Sequence, residues 1–190
     1  MRARCTTVSA AEVIADVIAR DFVEQPSPHL IVFPAVPKAG KLETIVQKLT
    51  EIGVDEIRPW FASRSVAHWD ERKSASRTTR MQTVAKEAAM QSRRAWLPIV
   101  VAPAPLQDLP DLCFVLHEDA DSRIGVVLPT VAPQTIGVII GPEGGLDPSE
   151  LEHLSAIGAT IVSLGQQVLR TETAALVGPV LVLGHFRRLG

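Results

Sequence analysis

TIGVIIGPEGGLDPSELEHLSAIGATIVSLG, residues 135–165, decides the fold. TIGVII (135–140) is a short apolar run rich in branched residues, as expected of a strand covered on both faces. The glycine-bearing turn GPEGGL follows it. Next comes DPSELEHLSAIG, where Asp147 can cap a helix, Pro148 suits its first position and Glu150 completes a capping box. ATIVSLG (159–165) then reads as a second strand. A strand, a helix and another buried strand in this order form a parallel βαβ unit.

Outward from this unit the alternation continues. HLIVFP (29–34), DEIRPWF (55–61) and LCFVLHE (112–118) read as strands. KLETIVQKLTEIG sets Leu42, Ile45, Val46, Leu49 and Ile52 on one helical face, with Gly53 as a natural stop. The stretch from about Asp70 to Gln91 is helix-compatible. A helical stretch from about Thr173 to Arg188 closes the chain, with a break expected at Gly178–Pro179. The expectation is an α/β domain with a mostly parallel sheet and helices on both faces. Residues 102–111 (APAPLQDLPD) look like a proline-stiffened connection and PSP (26–28) like a hinge. The first 27 residues stand apart: Ser9 and Glu12 suit a helix-capping box, yet the same stretch also reads as two strands joined at SAAE.

The chain has 190 residues, 46% hydrophobic and 21% charged, enough to bury a sizeable core. It has no apolar run of the roughly 18 residues that cross a bilayer and no signal-type start. Cys5 and Cys113 offer no metal spacing, so neither a metal site nor a membrane is expected, and the cytoplasm is the simplest home. The net charge of −2 hides an asymmetry. Between Arg58 and Arg94 nine Lys/Arg face three Asp/Glu; from Val100 to Thr160 one Arg faces nine acids. A chain divided this way can draw a polyanion to one surface.

Two glycine-bearing segments follow strand candidates: IIGPEGGLDPSE (139–150) and SLGQQVLRTETAAL (163–176). Gly144 and Gly145 let a ligand approach the main chain closely, and each segment runs into a helix N-terminus that favours an anionic or accepting group. LHED (116–119) ends a third strand and can supply a third loop. Neither segment is a GxxxxGK[ST] loop or a GxGxxG fingerprint, which argues against ATPase, kinase and dehydrogenase functions.

GPEGGLDPSE followed by LGQQVLRTETA resembles the C-terminal half of the RsmE family, SPOUT-class methyltransferases that modify N3 of a uridine in small-subunit ribosomal RNA. IVQKLTEIGVDEIRPW, SRSV (63–66) and KEAAMQSRRAWLPIV resemble upstream segments of the same family, in order, over roughly residues 29–187. The resemblance implies a C-terminal trefoil knot, a homodimer and S-adenosyl-L-methionine as cofactor. The implied cofactor-binding residues are Leu116, His117 and Glu118; Ile140, Gly141, Pro142, Glu143, Gly144 and Gly145; and Leu164, Gly165, Val168, Leu169, Arg170, Thr171 and Thr173. For RNA contact it implies Lys48, Arg64, Gln91 and Arg94, although Lys48 can equally pair with Glu51 on its own helix. His68 and Trp69 are further candidates for stacking on a base. Ribosomal RNA or the small ribosomal subunit is the implied partner.

Uridine N3 is protonated at neutral pH, so its methylation needs the proton removed or an anion stabilised. Arg170 suits the second task, because a guanidinium is a poor base but a good partner for negative charge on uracil oxygens. The proton would leave to water or another group.

The family begins with a PUA-like β-barrel, and RARCTTVS and EVIADVIARDFV resemble its last strands. Residues 1–27 are therefore expected to be a β remnant of that unit, and 28–190 the methyltransferase domain. Gln167 stands where the family carries arginine, and Met90 where an acid is usual. The alternatives are methylation of another RNA nucleotide, or an inactive RNA-binding or assembly module.

Overall fold

The computed structural model describes residues 2–38, 40–65 and 69–189. Its centre is a six-stranded, wholly parallel sheet in the order β5-β4-β3-β7-β6-β8. The strands are β3 (His29–Pro34), β4 (Glu56–Ile57), β5 (Ile99–Val100), β6 (Leu112–Leu116), β7 (Thr135–Ile140) and β8 (Ala159–Val162). Helices α1 (Lys41–Ile52), α2 (Glu71–Gln91), α3 (Ile124–Val127), α4 (Pro148–Ala156) and α5 (Thr171–His185) connect or follow them.

Strand residues alternate between two apolar layers, as the period of two requires. Leu30, Val32, Ile136, Val138 and Ile140 face α1, α2 and α5, where Leu42, Val46, Leu49, Met81, Ala85, Val182 and Leu183 meet them. Ile31, Phe33, Cys113, Val115 and Ile139 face the other way, onto Leu154 of α4 and the 102–111 connection through Leu106 and Leu109. Burying each such aliphatic side chain contributes roughly 1.5–3 kcal/mol. Gly137 lies where three neighbours crowd β7: an added Cβ would come within 2.6 Å of Cys113 Sγ.

The sequence pattern locates the central elements closely, and the differences have physical causes. The C-terminal helix is continuous and begins two residues early, running through Gly178 and Pro179 to His185. Both residues are buried, and a Cβ at Gly178 would sit 2.7 Å from Leu116 Cδ1, so glycine there serves close packing and does not interrupt the helix. Packing of Ala175, Val182 and Leu183 offsets the roughly 3 kcal/mol that an internal proline costs. Two short elements, β5 and α3, carry too few residues for a periodic signal.

The N-terminal stretch is an antiparallel hairpin, β1 (Arg2–Val8) and β2 (Val13–Ala19). Ser9 Oγ accepts the Glu12 amide at 3.0 Å, and the Ser9 amide donates to Glu12 O. The residues that look like a helix cap thus close the turn of a hairpin. Val8, Val13, Ile14, Val17 and Ile18 along it are exposed.

Candidate active site

The three loops foreseen at strand ends meet. β6, β7 and β8 are neighbours and parallel, so their carboxyl ends open on one side of the sheet, where open α/β sheets hold ligands. The His117 amide donates to Val162 O, which draws the loop after β6 against the end of β8. Between the loops lies a cleft that opens to solvent.

Leu116, His117, Glu118, Ile140, Gly141, Pro142, Gly145, Leu164, Gly165, Val168, Leu169 and Thr171 line this cleft. Leu146, Gln167 and Ala174 line it too. These three escaped sequence reasoning: Leu146 and Ala174 read as ordinary helix-flanking apolar residues, and Gln167 as a lost cation. Apolar walls with main-chain amides and carbonyls between them suit a flat heteroaromatic ring whose edge offers donors and acceptors.

Glu143, Gly144, Arg170 and Thr173 sit outside the lining, each for a visible reason. Glu143 turns to Lys41, whose Nζ lies 3.4 Å from its Oε1. Gly144 backs onto Arg64, with an added Cβ only 3.3 Å from the arginine Cβ. Arg170 is the N-cap of α5, and its guanidinium, exposed at the rim, has no hydrogen bond or ion pair among the described residues. Thr173 is exposed one turn further along.

The glycine turn is braced from below. Asp147 and Glu150 form the foreseen capping box of α4. Glu150 also accepts from Ser63 N at 2.7 Å and Ser63 Oγ at 2.9 Å. Arg64 donates to Gly144 O at 3.1 Å and to Asp147 Oδ2 at 3.2 Å. Hydrogen bonds from Ser149, helped by the Arg64 charge, hold the Asp147 carboxyl below its usual range.

The same turn has a second tie: Lys41 Nζ lies 3.2 Å from Glu172 and also reaches Glu143, joining the loop after β7 to the first turn of α5. Its pKa is raised, chiefly by the hydrogen bond to Glu172. No sequence motif marks this link, because it joins residues more than 100 positions apart.

The candidates for RNA contact separate. Arg64 is exposed beside the glycine turn and Gln91 is exposed at the end of α2. Lys48 pairs with Glu51 at 2.8 Å. Arg94 turns inward: its side chain is only 7% exposed and donates to Thr50 O at 3.0 Å and Val54 O at 2.7 Å. Trp69 packs edge-on against Phe61, with centroids 5.8 Å apart. His68 lies outside the described residues. No metal-ligating cluster occurs among the described residues, and no described helix is long and apolar enough to cross a membrane.

Residues 24–181 match the RNA methyltransferase domain family. The chain is 36% identical to ribosomal RNA small subunit methyltransferase E of Mycobacterium bovis over 187 residues, covering 92% of this chain and 71% of that protein. It is 35% identical to the Bacillus subtilis protein of the same name, covering 74% of this chain and 60% of that one. A proposed methyltransferase from Legionella pneumophila, solved with bound SAM, superposes with a TM-score of 0.85 at 28% identity, covering 96% of this chain and 77% of that one.

Proposed function

The chain belongs to the ribosomal RNA small subunit methyltransferase E family, and from that premise we propose that it methylates N3 of a uridine in small-subunit ribosomal RNA. Membership carries the class of activity: an RNA methyltransferase that uses S-adenosylmethionine. The observation behind the finer reading is the convergence of three loops on one cleft, with an unpaired arginine at its rim.

The residues fit this cofactor. Leu116, Ile140, Leu146, Leu164, Leu169 and Ala174 offer apolar surface for an adenine ring, and the main chain at 116–118, 140–145 and 164–169 can read its edge. When bound, the cofactor supplies a methyl group already activated on a sulfonium. The protein's own work is orientation and charge. The brace from Ser63 and Arg64 fixes the glycine turn before any ligand arrives, which lowers the ordering cost of binding. Arg170, free of other partners, meets the negative charge that gathers on the uracil oxygens as N3 gives up its proton. The guanidinium stays protonated throughout, so the proton goes to water or another group.

Further parts of the reading follow the family resemblance. Residues 1–27 are read as part of a PUA-like unit, and 28–190 as the catalytic domain. The chain is read as trefoil-knotted: Ser163 N donates to Ser122 O and Ile124 N to Ser163 O, so the 117–123 loop crosses the end of β8 before α5 returns to pack on β3 and β7. A homodimer fits the exposed Val126, Val131 and Leu181 on and beside α3 and α5. The cytoplasm fits a ribosomal substrate.

The test combines calorimetry with S-adenosylhomocysteine, labelled-methyl transfer to small ribosomal subunits and mass mapping of the modified nucleoside. Arg170→Ala should keep ligand affinity and lose roughly 10²–10³-fold in methyl transfer, the range seen when one oxyanion donor is removed. A modified ribose or a base other than uridine refutes the N3 assignment, and near-normal turnover of Arg170→Ala removes the role given to Arg170.

A further inference from the structure

We propose that Lys41 is a positioning residue that holds Glu172 and thereby keeps Arg170 unpaired for the RNA substrate. The inference rests on the role given above to Arg170 and adds how its guanidinium is kept free.

Arg170 and Glu172 stand two residues apart where the chain enters α5. The Glu172 carboxyl is held below its usual range chiefly by a backbone hydrogen bond at the helix end, then by Lys41, with the Arg170 charge adding the least. An exposed arginine so near a carboxylate would ordinarily pair with it. Here the carboxylate is taken. Lys41, the first residue of α1, lies 3.2 Å from both Glu172 oxygens, and Arg170 has no bonded partner among the described residues. The choice of partner matters chemically. A guanidinium bound to a carboxylate has spent donors and a neutralised field, so it offers little to charge developing on a uracil ring. Lys41 also binds Glu143, which gives the contrasting explanation that it merely braces two loops of the cofactor cleft. The two accounts differ in what a second substitution does.

Four variants separate them: Lys41→Met, Lys41→Arg, Glu172→Gln and Lys41→Met with Glu172→Gln. Single-turnover methyl transfer by Lys41→Met should fall about tenfold or more, while affinity for S-adenosylhomocysteine stays within about threefold. Removing the competing charge should then rescue the reaction, returning the double variant to within about threefold of Glu172→Gln alone. Lys41→Arg should keep most activity. A crystal structure of Lys41→Met should show Arg170 and Glu172 paired within about 4 Å. A double variant as slow as Lys41→Met, or affinity falling in step with turnover, overturns the proposal in favour of the loop brace. So does an Arg170 that stays unpaired in the Lys41→Met crystal. That last reading holds whether or not the chain methylates RNA. Normal turnover of Arg170→Ala would defeat the parent reading separately.

Discussion

At the amino ends of β3, β4 and β5, Asp55 accepts from Leu30 N at 2.8 Å and from both Nη atoms of Arg188, at 2.8 and 3.1 Å, with Arg94 3.9 Å away. At the carboxyl ends of the sheet, Lys41, Glu143, Glu172 and Arg170 form a second charged group. The residue types are nearly the same and the burial is opposite. Asp55 has a fully buried side chain, and those of Arg188 and Arg94 are 3% and 7% exposed, whereas Lys41 keeps 37% of its side chain in solvent. The buried group cannot change partners without exposing a bare charge to the interior, so it fixes the fold. The exposed group can exchange its partners with water at little cost, so it is free to meet a substrate.

The sharpest way to break this contrast is Asp55→Ala. It leaves two buried guanidiniums without their carboxylate, and the expected loss is about 3–5 kcal/mol in urea unfolding. Such a loss is a large share of a domain's total stability. Acid should act through the same group. Burial pushes the Asp55 carboxyl up, but the bonds from Arg188 and Leu30 N–H pull harder, and its pKa ends below the ordinary 3.8. A depressed folded value means stability fully present above the unfolded value and lost as pH falls through the folded one. The Asp55 contribution should therefore be constant at neutral pH and fade only below about pH 4. A stability change of under 1 kcal/mol in Asp55→Ala would mean that the buried pair does not hold the amino ends together.

A smaller effect is expected from Arg94→Ala, which also tests how far sequence reasoning reaches. Losing the bonds to Thr50 O and Val54 O should cost about 1–3 kcal/mol. RNA affinity per folded molecule should not change, as filter binding at matched folded fraction would show. A specific loss of RNA affinity would return Arg94 to the substrate surface.

Arg94 and Arg170 show where the sequence stops being legible. Both are arginines inside a motif segment, and nothing in the segment tells which way either side chain turns. Arg94 turns inward because α1 ends with the Thr50 and Val54 carbonyls facing it, a fact of helix packing 40 residues away. The strands and the Asp147–Glu150 cap were legible because apolar alternation and capping chemistry are local. The convergence of the three loops was legible because turns that follow parallel strands must emerge on one edge of a sheet. The Lys41 link, the Arg188 clamp from the last turn of the chain and the Gly178 contact were not. Each depends on which distant element the fold brings alongside.

The mildest substitution probes the brace under the glycine turn. Arg64→Ala removes two exposed bonds, to Gly144 O and Asp147 Oδ2, so thermal stability should move by less than about 1 kcal/mol. Affinity for S-adenosylhomocysteine should nonetheless fall a few-fold, because the 142–145 turn would have to be ordered by the ligand itself. Arg64 stands between the two groups compared above: its charge is as exposed as that of Lys41, yet it holds main chain as Arg94 does. If Arg64→Ala leaves ligand affinity unchanged but weakens RNA binding, its bonds to the turn are incidental and it belongs with Arg170 on the substrate side. Loss of ligand affinity alone would make the carboxyl-end surface two-layered, with a brace beneath and free cations above.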